Sequence, residues 1–286
     1  MSLTESRATS CSCANLHRSL RGTAKAMPTL LRVAFAEAVA YRAEMLVWVL
    51  ATTMPLVMLA LFSAVAADAP VGRFGQPEII AYFLATFIVR QLTGSWASWQ
   101  MNFEVREGTL ATRLLRPIHP LLGYAIENIG AMPMRIVVSV PVAVVSLALV
   151  GGRAVSHSAG AWGLWLFALL GGWLLTLLAN LVIGALALFM ESSVKVMDIY
   201  LAAYFIASGY LIPVELFPPG ARAAFDWMPF RYQIGFPVEL MTGAYDAHLD
   251  VAAGLLAREW GMVAVLMGVT AWVWSRGVRR FSAYGG

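Results

Sequence analysis

The chain has 286 residues, 60% of them hydrophobic and 13% charged, with a net charge of +4 and a mean hydropathy of +0.72. Soluble domains average about 45–50% apolar and about 25% charged residues, and a water-soluble core cannot absorb such an excess. The composition excludes an ordinary soluble domain and points to an all-α integral membrane protein.

The first 27 residues differ in kind from the rest. They carry Arg7, Arg18, Arg21 and Lys25 among Ser, Thr and Ala, with no apolar stretch. That pattern excludes a cleavable signal peptide and reads as a disordered cytoplasmic tail, or as sequence upstream of a start at Met27. Cys11 and Cys13 are the only cysteines. They can supply neither a tetrahedral cysteine zinc site nor a disulfide framework, and no metal site is expected. Residues 28–286 read as one unit without an internal linker.

A spanning helix needs about 20 predominantly apolar residues. Six runs qualify or nearly qualify. The first, Met45 to Ala67, is uncharged, with Pro55 at its middle as an expected kink. The second, Ile79 to Asn102, is apolar except for Arg90, Gln91 and Gln100, and the third, Asn128 to Val150, contains Pro133, Arg135 and Pro141. The fourth, Gly160 to Met190, is the longest uncharged run. The fifth, Ile199 to Ile212, is short, and the sixth, Trp260 to Ser275, is bracketed by Arg258-Glu259 and Arg276. Six spans put both termini on one side. Thirteen basic residues then fall on the terminal side against five on the other, which makes both termini cytoplasmic. Trp162, Trp165, Trp260, Trp272 and Trp274 lie near span ends, as an aromatic belt requires.

Several chemistries lack their residues. Neither lysine, Lys25 nor Lys195, ends a phosphate-binding P-loop, and the motifs H-E-x-x-H and G-x-S-x-G do not occur. No matched pair of broken helices relates the two halves, which weakens an inverted-repeat secondary transporter. An ion-coupled secondary transporter remains the alternative reading, although the runs lack a central Asp or Glu. An intramembrane lipid-modifying enzyme using Asp226, Asp246, His248 and Asp250 is less favoured, because those residues read more simply as a solvated loop.

Two stretches carry a signature: "EVREGTLATRLLRPIHPL" from Glu104, and "SGYLIPVELFPPGARAAFDWMPFRYQIGFPVELMTG" from Ser208. Together they resemble the ABC-2-type exporter permeases, the six-span subunits of ATP-binding-cassette exporters. The R-E-G…L-L-R-P loop is most similar to the branch with paired paralogous permeases. The resemblance runs from about Thr29 to the C-terminus. It implies a permease subunit of a bacterial exporter, forming half of a dimeric path in the cytoplasmic membrane. The chain itself would be no enzyme and hold no cofactor; ATP and Mg would sit in a partner ATPase dimer. A second permease, the same chain or a paralogue, and membrane lipid complete the implied partners, with no nucleic acid.

The resemblance also implies a coupling helix in the first cytoplasmic loop, where Glu104, Arg106, Glu107, Arg113 and Arg116 alternate in sign and Gly108 and Pro117 mark bends. It further places an amphipathic helix over Pro28 to Ala43, with Leu31, Phe35 and Ala38 on one face. Arg90 lies near the middle of the second run, where a lone charge costs roughly 2.5–3.5 kcal/mol on insertion scales. It must face the interior, a wet cavity or a partner, Glu127 and Glu215 being candidate carboxylates. With Gln91, Ser95 and Ser98 it forms the expected translocation path. For Arg135, nearer a span end, snorkelling suffices. After the fifth run, Pro213, Glu215, Pro218, Pro219, Pro229 and Phe230 read as joints of short external re-entrant helices, because broken backbone at membrane depth must be buried in protein or line water.

Overall fold

The computed structural model describes residues 26–41, 43, 47, 52–150, 154–190 and 193–281. The expected tail up to residue 25, with both cysteines, lies outside them, as does most of residues 42–51 at the start of the first run. The described residues are helical throughout, apart from turns and one isolated bridge between Val71 and Phe74.

Helix α1 covers residues 26–40. It is followed by α2 (Met54–Asp68), α3 (Gln76–Thr93), α4 (Ala97–Arg106), α5 (Leu110–Leu114), α6 (Pro120–Gly130) and α7 (Met132–Val150). The long α8 (Ala159–Leu186) leads to α9 (Val194–Ala207) and a 3-10 turn at Val214–Leu216. Three short helices, α10 (Pro219–Phe225), α11 (Pro229–Gln233) and α12 (Gly235–Met241), precede α13 (Leu249–Val278). Prolines set many of these starts. Pro55, Pro77, Pro120, Pro133, Pro219 and Pro229 all stand in the first turn of a helix, where the missing N–H would have no partner anyway. Pro55 therefore begins α2 rather than kinking the middle of a span.

Four segments are long and apolar enough to cross a membrane: Gln76–Arg106, Pro120–Val145, Ala159–Leu186 and Leu249–Val278. The first of these is α3 and α4 run together across a break at Gly94–Trp96. The first and fifth expected runs appear as shorter helices, α2 of 15 residues and α9 of 14. The sixth run starts earlier than expected. Helix α13 takes in Arg258 and Glu259, which had been read as the bracket outside it.

Helix α8 is the central post, packing along α13, α4 and the short α11 and α12. Its apolar window is 61% buried, and that of α3–α4 is 67% buried. The windows of α6–α7 and α13 are only 28% and 22% buried, and they present Val137, Val140, Val265, Met267 and Trp272 outward. Apolar faces of that extent suit lipid or another apolar surface, not water. Among the described residues the interior holds three large apolar clusters and a small one at Ala81 and Ala154. One joins Phe83, Tyr82, Tyr204 and Tyr210, a second joins Met101, Leu110, Tyr124 and Trp173, and a third joins Leu175, Tyr232, Phe236 and Val263.

The close seating of α11 against α8 depends on Gly172. A Cβ there would stand 2.7 Å from the Tyr232 carbonyl oxygen, a backbone atom that cannot swing aside. We expect Gly172→Ala to lower unfolding free energy by about 1–3 kcal/mol, as overpacking does. Gly261→Ala, on α13 with open space around it, should be neutral or stabilising by up to about 1 kcal/mol. Thermal unfolding in detergent reads both.

Candidate functional site

The charged stretch after α4 folds into two kinds of residue. Gly108 adopts φ +74°, the left-handed region that glycine enters freely, and turns the chain from α4 into α5. Beyond it, Arg113 swings back into the protein. Its Nε and Nη2 donate to the Glu104 carboxylate at 2.8 and 2.6 Å, and its Nη1 donates to Glu127 at 2.9 Å. The Tyr124 hydroxyl donates to Glu104 at 2.6 Å, and the Arg113 guanidinium lies 4.1 Å from that ring's centroid. Burial opposes the Arg113 charge, but hydrogen bonds to Glu104 and Glu127 raise its pKa above the ordinary arginine value. Arg106, Glu107 and Arg116 are exposed, and Leu115 between them is 87% exposed. Of the six loop residues, Glu104 and Arg113 are thus engaged internally, Gly108 makes the turn, and three charges remain at the surface.

A cavity of about 1210 Å³ opens beside this loop, between α1, α3, α4, α7 and α9. Arg106, Glu107, Arg113 and Arg116 stand on its wall, as do Arg90, Gln91 and Ser95. Three of the four residues expected on the path therefore meet around one space. The fourth, Ser98, is buried against α8, donating to Asn180 Oδ1 at 2.9 Å, and is not on the cavity wall.

The deep end of the cavity is built by the break between α3 and α4. Gly94 is extended, with ψ 144°, so the chain leaves the helix and frees carbonyls inside an apolar segment. Arg135, from the first turn of α7, supplies the missing donor. Its Nη1 donates to Gly94 O at 2.6 Å and to Gln91 O at 3.4 Å, and its guanidinium lies 4.6 Å from the Trp96 ring centroid. Arg135 is 8% exposed and so does not snorkel. Arg90 occupies the last turn of α3, 5.4 Å from the Tyr204 ring centroid, and its Nε is buried without a hydrogen-bond partner among the described residues. Neither expected carboxylate reaches it. Glu127 is held by Arg113, and Glu215 pairs with Arg73. Gln91 donates to Thr52 Oγ1 at 2.9 Å.

On the far side of α9 the proline-rich stretch splits in two. Pro213 precedes the 3-10 turn, Glu215 sits within it, Pro218 and Pro219 open α10, and Pro229 opens α11. Residues 221–230 are exposed or half-buried, with Phe230 packed 5.5 Å from Tyr200. Residues 231–240 are all buried. Within them Arg231 donates to Glu239 at 2.9 Å and pairs with Asp226, while the Tyr245 hydroxyl donates to Glu239 at 2.8 Å. A plain solvated loop does not bury ten consecutive residues around an ion pair.

The model of a family described as ABC-2 family transporter protein matches residues 44–285. The chain belongs to that transporter family. No curated protein matches it. ABC-2 permeases are membrane components of ABC transporters and work with ATP-binding partners. Membership agrees with the two signature stretches, both of which lie inside the matched residues.

Several residues of this ABC-2 protein escaped sequence reasoning. Arg135 was legible only as a basic residue near a span end, and its partners lie on another helix. Glu127 was read as a candidate partner of Arg90 but is held by Arg113, and Tyr124 was not singled out. Glu259 was taken as a span boundary. It is fully buried in α13, with neither carboxylate oxygen hydrogen-bonded among the described residues, and it lies against Gly171 of α8. In the amphipathic α1, Ala34 and Ala38 face inward, while Phe35 is 43% exposed.

Removing Arg113 leaves two carboxylates unpaired in a partly buried setting. We expect Arg113→Ala to destabilise the protein by roughly 3 kcal/mol. Arg106→Ala, at the exposed end of α4, should change stability by less than about 0.5 kcal/mol. Chemical or thermal unfolding of the purified protein separates the two.

Proposed function

We propose that the chain is the permease subunit of a bacterial ABC exporter, a single six-span domain over residues 28–286 that forms half of a dimeric path in the cytoplasmic membrane. In this reading α2 and α9 are the first and fifth spans, both termini are cytoplasmic, and α10–α12 are re-entrant helices at the outer end. Separate ATPase subunits bind ATP and Mg and meet the permease at the loop after α4. A second permease, identical or paralogous, completes the path.

The observation that carries this reading is the division of labour in the loop. Arg113 is clamped to Glu104 and Glu127, which fixes α5 to α4 and α6. The same clamp leaves Arg106, Glu107, Leu115 and Arg116 projecting, a two-signed rim around one exposed apolar side chain. A rigid element with a projecting apolar residue and mixed charges suits a protein partner better than a lipid surface, which would favour one sign. The rim also borders the cavity that reaches Arg90, so the partner surface and the path are contiguous.

Charge reversal at Arg106 or Glu107 tests it, since neither supports the fold. The expected outcome is a permease that still inserts and purifies in normal amount but no longer supports transport-linked ATP hydrolysis. Undiminished coupling in a reconstituted complex would remove the loop from the contact. Co-purification of an ATPase and vanadate-sensitive transport check the exporter reading itself.

Glu259 supports a second reading, an ion-coupled secondary transporter, because a buried carboxyl in a candidate span is what such coupling needs. Under that reading Glu259→Gln abolishes transport driven by a proton gradient without any ATPase. Under the exporter reading, transport requires ATP and survives Glu259→Gln.

A further inference from the structure

The cavity's deep end holds two guanidinium groups with no carboxylate between them. Arg90 comes from the end of α3 and Arg135 from the start of α7, and both approach Gly94. A methyl group built on Gly94 would lie 3.4 Å from Arg90 Nη1 and 3.5 Å from Arg135 Nη1. Among the described residues neither arginine pairs with an acidic side chain. Their neighbours are the rings of Tyr204 and Trp96, the Tyr210 hydroxyl beside Arg90, and the carbonyls of Gly94 and Gln91. Two like charges held this close in a weakly polar setting repel, and each is costly to bury alone. An anion between them offsets both terms. Guanidinium presents its N–H donors in a planar fork that matches the oxygens of phosphate or carboxylate. Arg135 uses only Nη1 on the carbonyls, so further N–H groups remain for a ligand.

The rest of the cavity decides what carries that anion. Its volume, about 1210 Å³, exceeds the roughly 300–1,000 Å³ of sites for drug-sized molecules, so a small anion would leave it largely unfilled. Beside the two arginines its wall carries Gln91 and Ser95 and an apolar face formed by Trp96, Met134, Val138, Leu201 and Phe205. Over the whole lining five arginines face three carboxylates, and setting aside the Arg113–Glu127 pair leaves four against two. A net positive, water-accessible space focuses anions inward.

We propose that the Arg90–Arg135 pair is the headgroup site for an anionic amphiphile, a molecule with a phosphate or carboxylate head and an apolar tail lying against Trp96, Val138 and Phe205. As an assignment of the transported substrate class it rests on the exporter reading above. As a binding site it stands on the cavity alone.

The test uses the full-length protein purified in a non-ionic detergent, without any ATPase. Fluorescently tagged lysophosphatidic acid and lysophosphatidylcholine, equal in tail, are titrated and read by anisotropy. The expected result is at least about tenfold tighter binding of the phosphatidic form. Arg90→Ala should bring the two lipids to within about twofold, and Arg90→Lys should retain most of the preference. Arg90 is the residue to change because Arg135 also secures the helix break; a thermal-unfolding midpoint equal to wild type shows that Arg90→Ala is folded, and Arg90→Gln serves if it is not. Equal binding of both lipids, or an unchanged preference in the folded Arg90 variants, overturns the site. Displacement of the lipid by millimolar inorganic phosphate overturns the amphiphile and leaves a free oxyanion as ligand. If the preference is found but no ATPase associates with the protein, the exporter reading falls while the site stands. If an ATPase associates and the preference is absent, only the site falls.

Discussion

An apolar helix that stops halfway leaves carbonyls without donors, and nothing in hydrocarbon will supply them. That is the situation at Gly94, where α3 ends and α4 has not yet begun. The break is tolerable because one buried arginine from another helix reaches it, at 2.6 Å from the Gly94 oxygen. Much of the site depends on this single contact. It holds α7 against α3, places Trp96 under a guanidinium, and leaves room at Gly94 for a second arginine to approach.

The two ends of the cavity solve opposite electrostatic problems. At the loop, Arg113 meets two carboxylates and a phenol and is fully employed. At the break, Arg90 and Arg135 meet rings, a tyrosine hydroxyl and carbonyls, which are weaker partners than carboxylates for a full charge. Charge is balanced where rigidity is needed and left in excess where a ligand could balance it. The proline-rich segment repeats the first solution, with Arg231 shared between Asp226 and Glu239 inside a buried stretch between α8 and α13.

How much of this was legible in the sequence depends on whether a feature is local. Helix starts at Pro77, Pro120, Pro219 and Pro229 follow from one residue's chemistry. The long uncharged run of α8 announces itself by composition, and the cost of Arg90 in apolar surroundings required it to face inward, as it does. The break at Gly94 could not be read, because Thr-Gly-Ser-Trp inside an apolar run is compatible with continuous helix. Its donor lies some forty residues on, and only tertiary packing brings the two together. Arg135 and Glu259 were misread for the same reason. Both were treated as charges that mark the end of a span, whereas each is enclosed by a neighbouring helix that the sequence does not identify. The face of α1 was likewise set by Gly130 of α6, which admits Ala34 rather than a larger side chain.

Because Arg90 and Arg135 belong to different helices, the anion site is a gap rather than a fixed pocket. Its strength is a function of how α3 and α7 stand relative to each other. The α7 side is reached from the loop through α6, whose Glu127 is gripped by Arg113 close to the Ala131 turn that leads into α7. A displacement of α6 that carries α7 away from α3 parts the guanidiniums and loosens whatever they share. The distance between two arginines becomes the variable that a remote force can set.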